Sequence, residues 1–221
     1  MSAGRSGSEA PGAPDPRSGA AGVTSLRRAL PEGDLTCLLC DREAARPLPY
    51  PFSVRFGEAT FAGPVRTVDA PGGTLRPIKA ALADLPEGAV VLVRAEPFEG
   101  ACWGGRLAAA ARARGAAGVV VLGRVRDVPT LRAGPLGVVA LGVAPHRSEA
   151  SGSGLVDAPL RLPYAVVAPG DVIVSDENGV ALVPAGALAT VAAELDAWLA
   201  EERAADAEAA SASPAGSGGT R

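Results

Sequence analysis

Hydrophobic positions along this chain alternate between a two-residue and a 3.6-residue period, and that alternation predicts an α/β domain. Residues 60–68 (TFAGPVRTV) follow the strand period, with Gly63-Pro64 marking a bend. Residues 77–85 follow the helical one: Pro77 stands early, where a missing N–H is tolerated, and Ile78, Ala81, Leu82 and Leu85 share one face. The next run, residues 89–95 (AVVLVRA), is apolar on both alternations, as a strand covered on both faces should be. Residues 138–143 (VVALGV) have the same character. Further strands are expected at 160–167, 172–175 and 180–183, separated by Pro-Gly-Asp and Glu-Asn-Gly turns. Near the start, residues 34–41 (DLTCLLCD) place an Asp or Thr cap before a short helix. Near the end, Leu188, Val191, Leu195, Trp198 and Leu199 form a helical stripe that packs on the body or on a neighbouring subunit.

Residues 101–127 (ACWGGRLAAAARARGAAGVVVLGRVRD) organise the rest. They read as a glycine turn, a helix from about Arg106 to Arg114, a second glycine turn, a strand over 119–122, and a loop ending in Arg126-Asp127. If the helix packs back on the strand, its N-terminus and the loop after the strand border one pocket, because open α/β layers place sites at strand carboxyl ends. Gly104-Gly105 allows close backbone approach, and the N–H groups of Gly105, Arg106 and Leu107 have no intrahelical partner and can hold a carboxylate. Arg126 and Asp127 add a guanidinium and a carboxylate, a set that suits a small anionic keto acid. Two plainer readings stand beside it, a glycine-containing helix start and an Arg-Asp surface ion pair or turn cap. A dinucleotide site is set aside, since no G-x-G-x-x-G is present here.

Composition narrows the function classes. With 221 residues and 48% hydrophobic content the chain can bury one core. The net charge of −3 shows no basic excess, which argues against direct nucleic-acid binding. Three cysteines, an odd number, do not resemble a disulfide framework and fit a reducing cytoplasm. No run of 18 apolar residues suggests a membrane span, and the N-terminus lacks the apolar centre of a secretory signal. Residues 1–32 and 204–221 are rich in Gly, Ala and Ser, and are expected to be a disordered leader and tail around a domain spanning 33–203. Cys37 and Cys40 form a CxxC, but a zinc site needs two further ligands and only Cys102 and His146 remain, each isolated; the pair reads as two small apolar residues on a helix face. His146 lies in a Pro-His-Arg-Ser-Glu loop and reads as solvent exposed.

A resemblance then gives the central stretch a context. The pattern W-G-x-x-L-A-x-x-A-x-x-R-G-x-x-G-V-V-x-x-G-x-x-R-D, from Trp103 to Asp127, strongly resembles the RraA-like family, which holds regulators of RNase E activity and 4-hydroxy-4-methyl-2-oxoglutarate aldolases. Residues 62–68 are similar to the family's A-G-x-A-x-T-V strand, and residues 169–184 to its P-G-D…D-x-x-G-V…P ending. The resemblance implies a single swivelling-type β/β/α domain, assembled as a homotrimer or hexamer with sites at subunit interfaces. For the aldolase members it implies that backbone N–H groups at the helix start, here Gly105 to Leu107 beside Gly104, hold the pyruvyl carboxylate. It also implies that Arg126 contacts the keto oxygen and stabilises the enolate, and that Asp127 binds Mg2+ (or Mn2+), largely through water. The chain departs from that pattern where the aldolases are acidic: Gly105 stands at one such position, followed by Arg106 in place of an apolar residue, and Thr130 stands at another. Glu99, Glu177 from another subunit, Glu201 and Glu202 are candidates to replace the missing acid. Two functions follow: a metal-dependent aldolase or oxaloacetate decarboxylase acting on a keto acid, or a regulator that binds an endoribonuclease without catalysis.

Overall fold

The computed structural model describes residues 16–97, 100–148 and 152–212. In chain order the elements are α1 (Pro16–Ala29), α2 (Leu35–Asp41), β1 (Arg46–Pro47), β2 (Val54–Phe56), β3 (Phe61–Asp69), α3 (Leu75–Ala83), β4 (Val90–Arg94), β5 (Ala101–Trp103), α4 (Gly105–Ala113), β6 (Gly118–Val125), α5 (Val128–Ala133), β7 (Val138–Val143), β8 (Leu155–Val156), β9 (Leu160–Arg161), β10 (Val166–Val167), β11 (Val172–Ser175), β12 (Val180–Val183) and α6 (Leu188–Ala212). The strands order as β1-β12-β11-β3-β4-β6-β7-β2, with β5 beside β6, β8 beside β3, and β9-β10 as a separate hairpin.

β3 joins two sheets. Its first half, Phe61 to Pro64, pairs antiparallel with β11, and its second half, Val65 to Asp69, pairs parallel with β4. One side of the molecule is therefore an antiparallel sheet and the other a parallel β3-β4-β6-β7 sheet. Alternate residues of the valine-rich strands enter different cores, as a two-residue period requires. Val90, Leu92, Val120 and Leu122 pack between the sheets with Ile173 and Leu182. Their neighbours Val91, Val93, Val119 and Val121 pack instead beneath α3, α4 and α5, with Ile78, Ala111 and Leu131. A third core, on the outer face of the antiparallel sheet, joins Val172, Val174 and Ala181 to Leu26 of α1 and Leu195 of α6.

Several expectations meet their elements within a few residues, among them α3, β4, α4, β6, β7, β11 and β12. Others differ. Residues 16–29, read from composition as part of a disordered leader, form α1, and the tail expected from residue 204 continues as helix to Ala212. For α1 the reason is burial: Leu26 is fully enclosed, and Arg27 ties the helix to the sheet by donating to the carbonyls of Ala62 (2.9 Å) and Gly88 (2.6 Å). α1 also crosses α6 closely, for a Cβ at Gly22 would lie 2.6 Å from the Leu188 carbonyl oxygen. The strand expected over 160–167 is a two-strand hairpin. Asp34 makes no capping bond to α2; its carboxylate accepts from the Asn178 side chain at 2.7 Å. Thr36 and the backbone at 178–179 bond the buried Asp176 carboxylate, which staples α2 to the β11–β12 turn. Cys37 is exposed and Cys40 half-buried, so they do not share a buried face, and among the described residues no group of three or more His, Cys, Asp and Glu side chains gathers as metal ligands. No helix of the described residues is long and apolar enough to cross a membrane.

Candidate functional site

β5 builds the site. β4 pairs with β6 as far as Leu122, and β5 then takes over the same flank, pairing Ala101 with Arg124 and Trp103 with Val125. This short strand delivers Gly104, the N-cap of α4, to the carboxyl end of β6, where Arg126 and Asp127 leave the sheet. The Arg126 N–H donates to the Trp103 carbonyl at 3.0 Å and closes the junction.

Close packing explains both glycines. A Cβ at Gly104 would lie 2.7 Å from Asp127 Oδ2 and 3.1 Å from Arg126 Cγ, while one at Gly105 would lie 2.8 Å from Thr130 Cγ2. Gly104 has extended backbone, so the requirement there is space and not a left-handed conformation. Thr130 occupies the room that a side chain at 105 needs, so the two departures from the acidic pattern are one packing arrangement. Asp127 itself has left-handed backbone (φ 63°), which asparagine and aspartate tolerate better than most residues. It aims its carboxylate at the start of α4, where Oδ2 accepts the Gly105 N–H at 3.0 Å. A carboxylate there is favoured by the helix dipole. The Arg126 guanidinium stands 3.9 Å from the same oxygen, with both side chains part-exposed. The N–H groups of Arg106 and Leu107 take no acceptor among the described residues, and Ala108 N–H makes the first bond back, to Gly104.

These groups open on a cavity of about 170 Å³. All the expected residues border or adjoin it, and three further features appear. Lys79 from α3 and Arg147 from the loop after β7 line it together with Arg106, so four cations surround one carboxylate. Neither Lys79 nor Arg147 was singled out from sequence, because each lies on an element that only the sheet order brings here. Cys102 also lines the cavity; burial pushes its thiol up to about 12, so it stays neutral. Trp103 lines the cavity too, with a buried Nε1–H that has no acceptor among the described residues. Of the candidate replacement acids, Glu177 lines a different cavity and Glu201 and Glu202 lie on the exposed end of α6. Glu99 lies outside the described residues. His146 is exposed, and its contribution to the site is its carbonyl, which accepts the Ala101 N–H at 2.9 Å. A larger cavity of about 380 Å³, beside Tyr50 and Arg161, offers less to an anion, since its Arg94 is held at 2.6 Å by Asp69.

A mixed α/β domain with the open N–H groups of a helix start facing an Arg-Asp pair defines a recognisable class. The chain belongs to the RraA-like family: the family model described as Aldolase/RraA matches residues 36–182. It is 38% identical over 152 residues to the 4-hydroxy-4-methyl-2-oxoglutarate aldolase of Thermus thermophilus, a match covering 68% of this chain and 90% of that protein. Among solved structures, the RNA-processing inhibitor RraA from Thermus thermophilus is 37% identical with a TM-score of 0.62, covering 67% of this chain and 91% of its own. Streptomyces coelicolor RraAS2, described as an unusual member of the RNase ES inhibitor RraA family, is 26% identical with a TM-score of 0.66, covering 86% and 96%. Both α1 and α6 fall outside the matched family segment.

Proposed function

We propose that this protein is a divalent-metal-dependent carbon–carbon lyase of the aldolase/oxaloacetate decarboxylase type, acting on a pyruvyl-containing keto acid. The observation that carries the reading is the meeting of three groups in one cavity: the open N–H groups of α4, the Arg126 guanidinium and the Asp127 carboxylate. The Arg106 and Leu107 N–H groups bind the pyruvyl carboxylate, as a helix start binds anions generally. Arg126 faces the keto oxygen and stabilises the negative charge that develops there when the bond beyond C3 breaks, a charge absent from the ground state. In the retro-aldol case the 4-hydroxyl gives up its proton, C3–C4 breaks, and the electron pair enters the pyruvate enolate, which is then protonated at C3.

The donor set fits Mg2+ or Mn2+ in one particular way. Asp127 bonds the helix start through Oδ2 and leaves Oδ1 free, and magnesium commonly takes one carboxylate while keeping several waters. The four surrounding cations oppose a bare divalent ion, so the site favours the metal together with an anionic substrate. When bound, the metal supplies Lewis-acid polarisation of the keto group. The family's assembly suggests a homotrimer or hexamer, and a neighbouring subunit is then a source for the proton-transfer acid that Gly105 and Thr130 do not provide.

Pyruvate release from 4-hydroxy-4-methyl-2-oxoglutarate and from oxaloacetate, followed with and without Mg2+, tests the reading. The expected result is metal-dependent release that falls at least about tenfold in Arg126→Ala, the loss of roughly 1.4 kcal/mol of transition-state stabilisation. Absence of turnover with either substrate removes the lyase. A second reading, a non-catalytic regulator of an endoribonuclease, draws on the missing carboxylates at 105 and 130 and on the RraA relatives. Co-purification of an endoribonuclease with the inactive protein would favour it.

A further inference from the structure

We propose that Lys79 is the acid that delivers a proton to C3 of the pyruvate enolate. The inference rests on the keto-acid reading above and gives the chain a proton donor of its own, where that reading looks to a neighbouring subunit. Lys79 stands in the second turn of α3 and follows Leu75 by four residues, so the two share one helix face, and both line the Arg126–Asp127 cavity. The buried stripe of α3 anchors it: Ile78, Ala81 and Leu82 pack into the core with Val91 and Val93 of β4. Two side-chain bonds fix the start of the helix. Thr74 Oγ1 donates to the Gly152 carbonyl at 2.9 Å, and the Ser148 hydroxyl, next to Arg147, donates to the Gly72 carbonyl at 3.0 Å. At its other end Arg114, just after α4, donates to the Ala83 carbonyl. Lys79 therefore keeps a set place relative to the start of α4.

Cleavage leaves an electron pair on the enolate, and pyruvate forms only when C3 gains a proton. Few groups around the cavity can give one. Guanidinium groups do not release protons in proteins, which sets aside Arg106, Arg126 and Arg147. The Cys102 thiol is almost fully buried and donates to the Arg124 carbonyl at 3.8 Å. The Asp127 carboxylate is an acceptor, taken by the Gly105 N–H through Oδ2 and assigned to the metal through Oδ1. Lys79 remains among the described lining residues: an ammonium carries three protons on a flexible four-carbon stem. The step balances. A Lys79 N–H bond breaks, its proton forms the new C3–H bond with the enolate electron pair, and the neutral amine takes a proton back from water, to which the 4-hydroxyl proton has been released. An acid matters more in aldol cleavage than in decarboxylation. After aldol cleavage the departing keto acid lies beside the enolate, and the bond re-forms unless C3 is protonated first. After decarboxylation CO2 diffuses away, and water can protonate the enolate later.

The test follows the methyl protons of pyruvate, because a group that protonates C3 also removes a proton from it by the reverse path. Loss of the methyl signal in D2O with Mg2+, read by NMR, is expected to be catalysed by the parent protein. It falls at least about a hundredfold in Lys79→Arg, which keeps the charge and cannot pass a proton. Calorimetric binding of pyruvate by that variant stays within about threefold of the parent, since the charge is retained. Aldol cleavage falls at least about tenfold further than oxaloacetate decarboxylation. Added methylamine restores exchange to Lys79→Ala and not to Arg126→Ala. Exchange in Lys79→Arg within about threefold of the parent, as when a neighbouring subunit supplies the acid, overturns the proposal. So does a loss of pyruvate binding large enough to account for the lost exchange, or a parent protein that decarboxylates oxaloacetate without exchanging pyruvate protons; the lyase stands in each of these cases. A parent protein that binds no pyruvate, exchanges none of its protons and releases none from oxaloacetate or from 4-hydroxy-4-methyl-2-oxoglutarate sinks the keto-acid reading, and the role of Lys79 with it.

Discussion

Asp127 carries two roles on one side chain, a structural one through Oδ2 at the start of α4 and a proposed metal-holding one through Oδ1. The two separate by substitution. Asp127→Asn keeps an oxygen acceptor for the Gly105 N–H, whereas Asp127→Ala leaves it without a partner, a loss of about 1 kcal/mol for a helix-start acceptor. Metal-stimulated pyruvate release is expected to collapse in both, while urea denaturation shows a stability loss in the alanine variant alone. Equal destabilisation by both would mean that the Gly105 bond is not what the carboxylate contributes to the fold. At this scale the candidate site was largely legible, because Gly104, Gly105, Arg126 and Asp127 carry a recognisable spacing. The interlock of Gly105 with Thr130 was not legible, for 25 residues of chain separate them and only the α4–α5 approach sets Cβ against methyl.

Among the elements, α1 is the clearest case of composition misleading and periodicity informing. Its Gly- and Ala-rich sequence suggested an unfolded leader, yet Val23, Leu26 and Leu30 fall at three- and four-residue spacing and enter the outer core. Truncating Leu26, which is fully buried between α6 and the antiparallel sheet, is expected to cost about 2–5 kcal/mol, read as a lowered denaturation midpoint. A midpoint within experimental error of the parent would show that α1 does not hold the sheet in solution. β5 escaped notice for a different reason. Three residues are too few to display a period, and they become a strand only because β4 stops at Arg94 and leaves one flank of the end of β6 open, the other being paired with β7.

For the whole molecule, burial sets a pH dependence that no single element shows. Burial raises the Cys102 thiol from its ordinary 9.0 to about 12, and burial followed by the nearby Glu96 raises Tyr50 from 10.0 to about 12. Both groups bind their protons more tightly folded than unfolded. Their contribution to stability is therefore complete below about pH 9 and declines as pH rises towards 12. Chemical denaturation at unit steps from pH 7 to 11 should show a level midpoint and then a fall, made shallower by Cys102→Ala. A flat profile to pH 11 would contradict the burial of that thiol. The sequence by itself determined the class of this protein: valine runs apolar on both alternations require strands covered on both faces, and the glycine turn with Arg126-Asp127 locates the candidate site, all properties of local spacing. Tertiary structure alone brought Lys79 and Arg147 to the site, since they join Arg106 and Arg126 only through the order of β4, β6 and β7 and the position of β5. Periodicity records which face of an element is buried; it holds no information on which distant loops will meet at the sheet's edge.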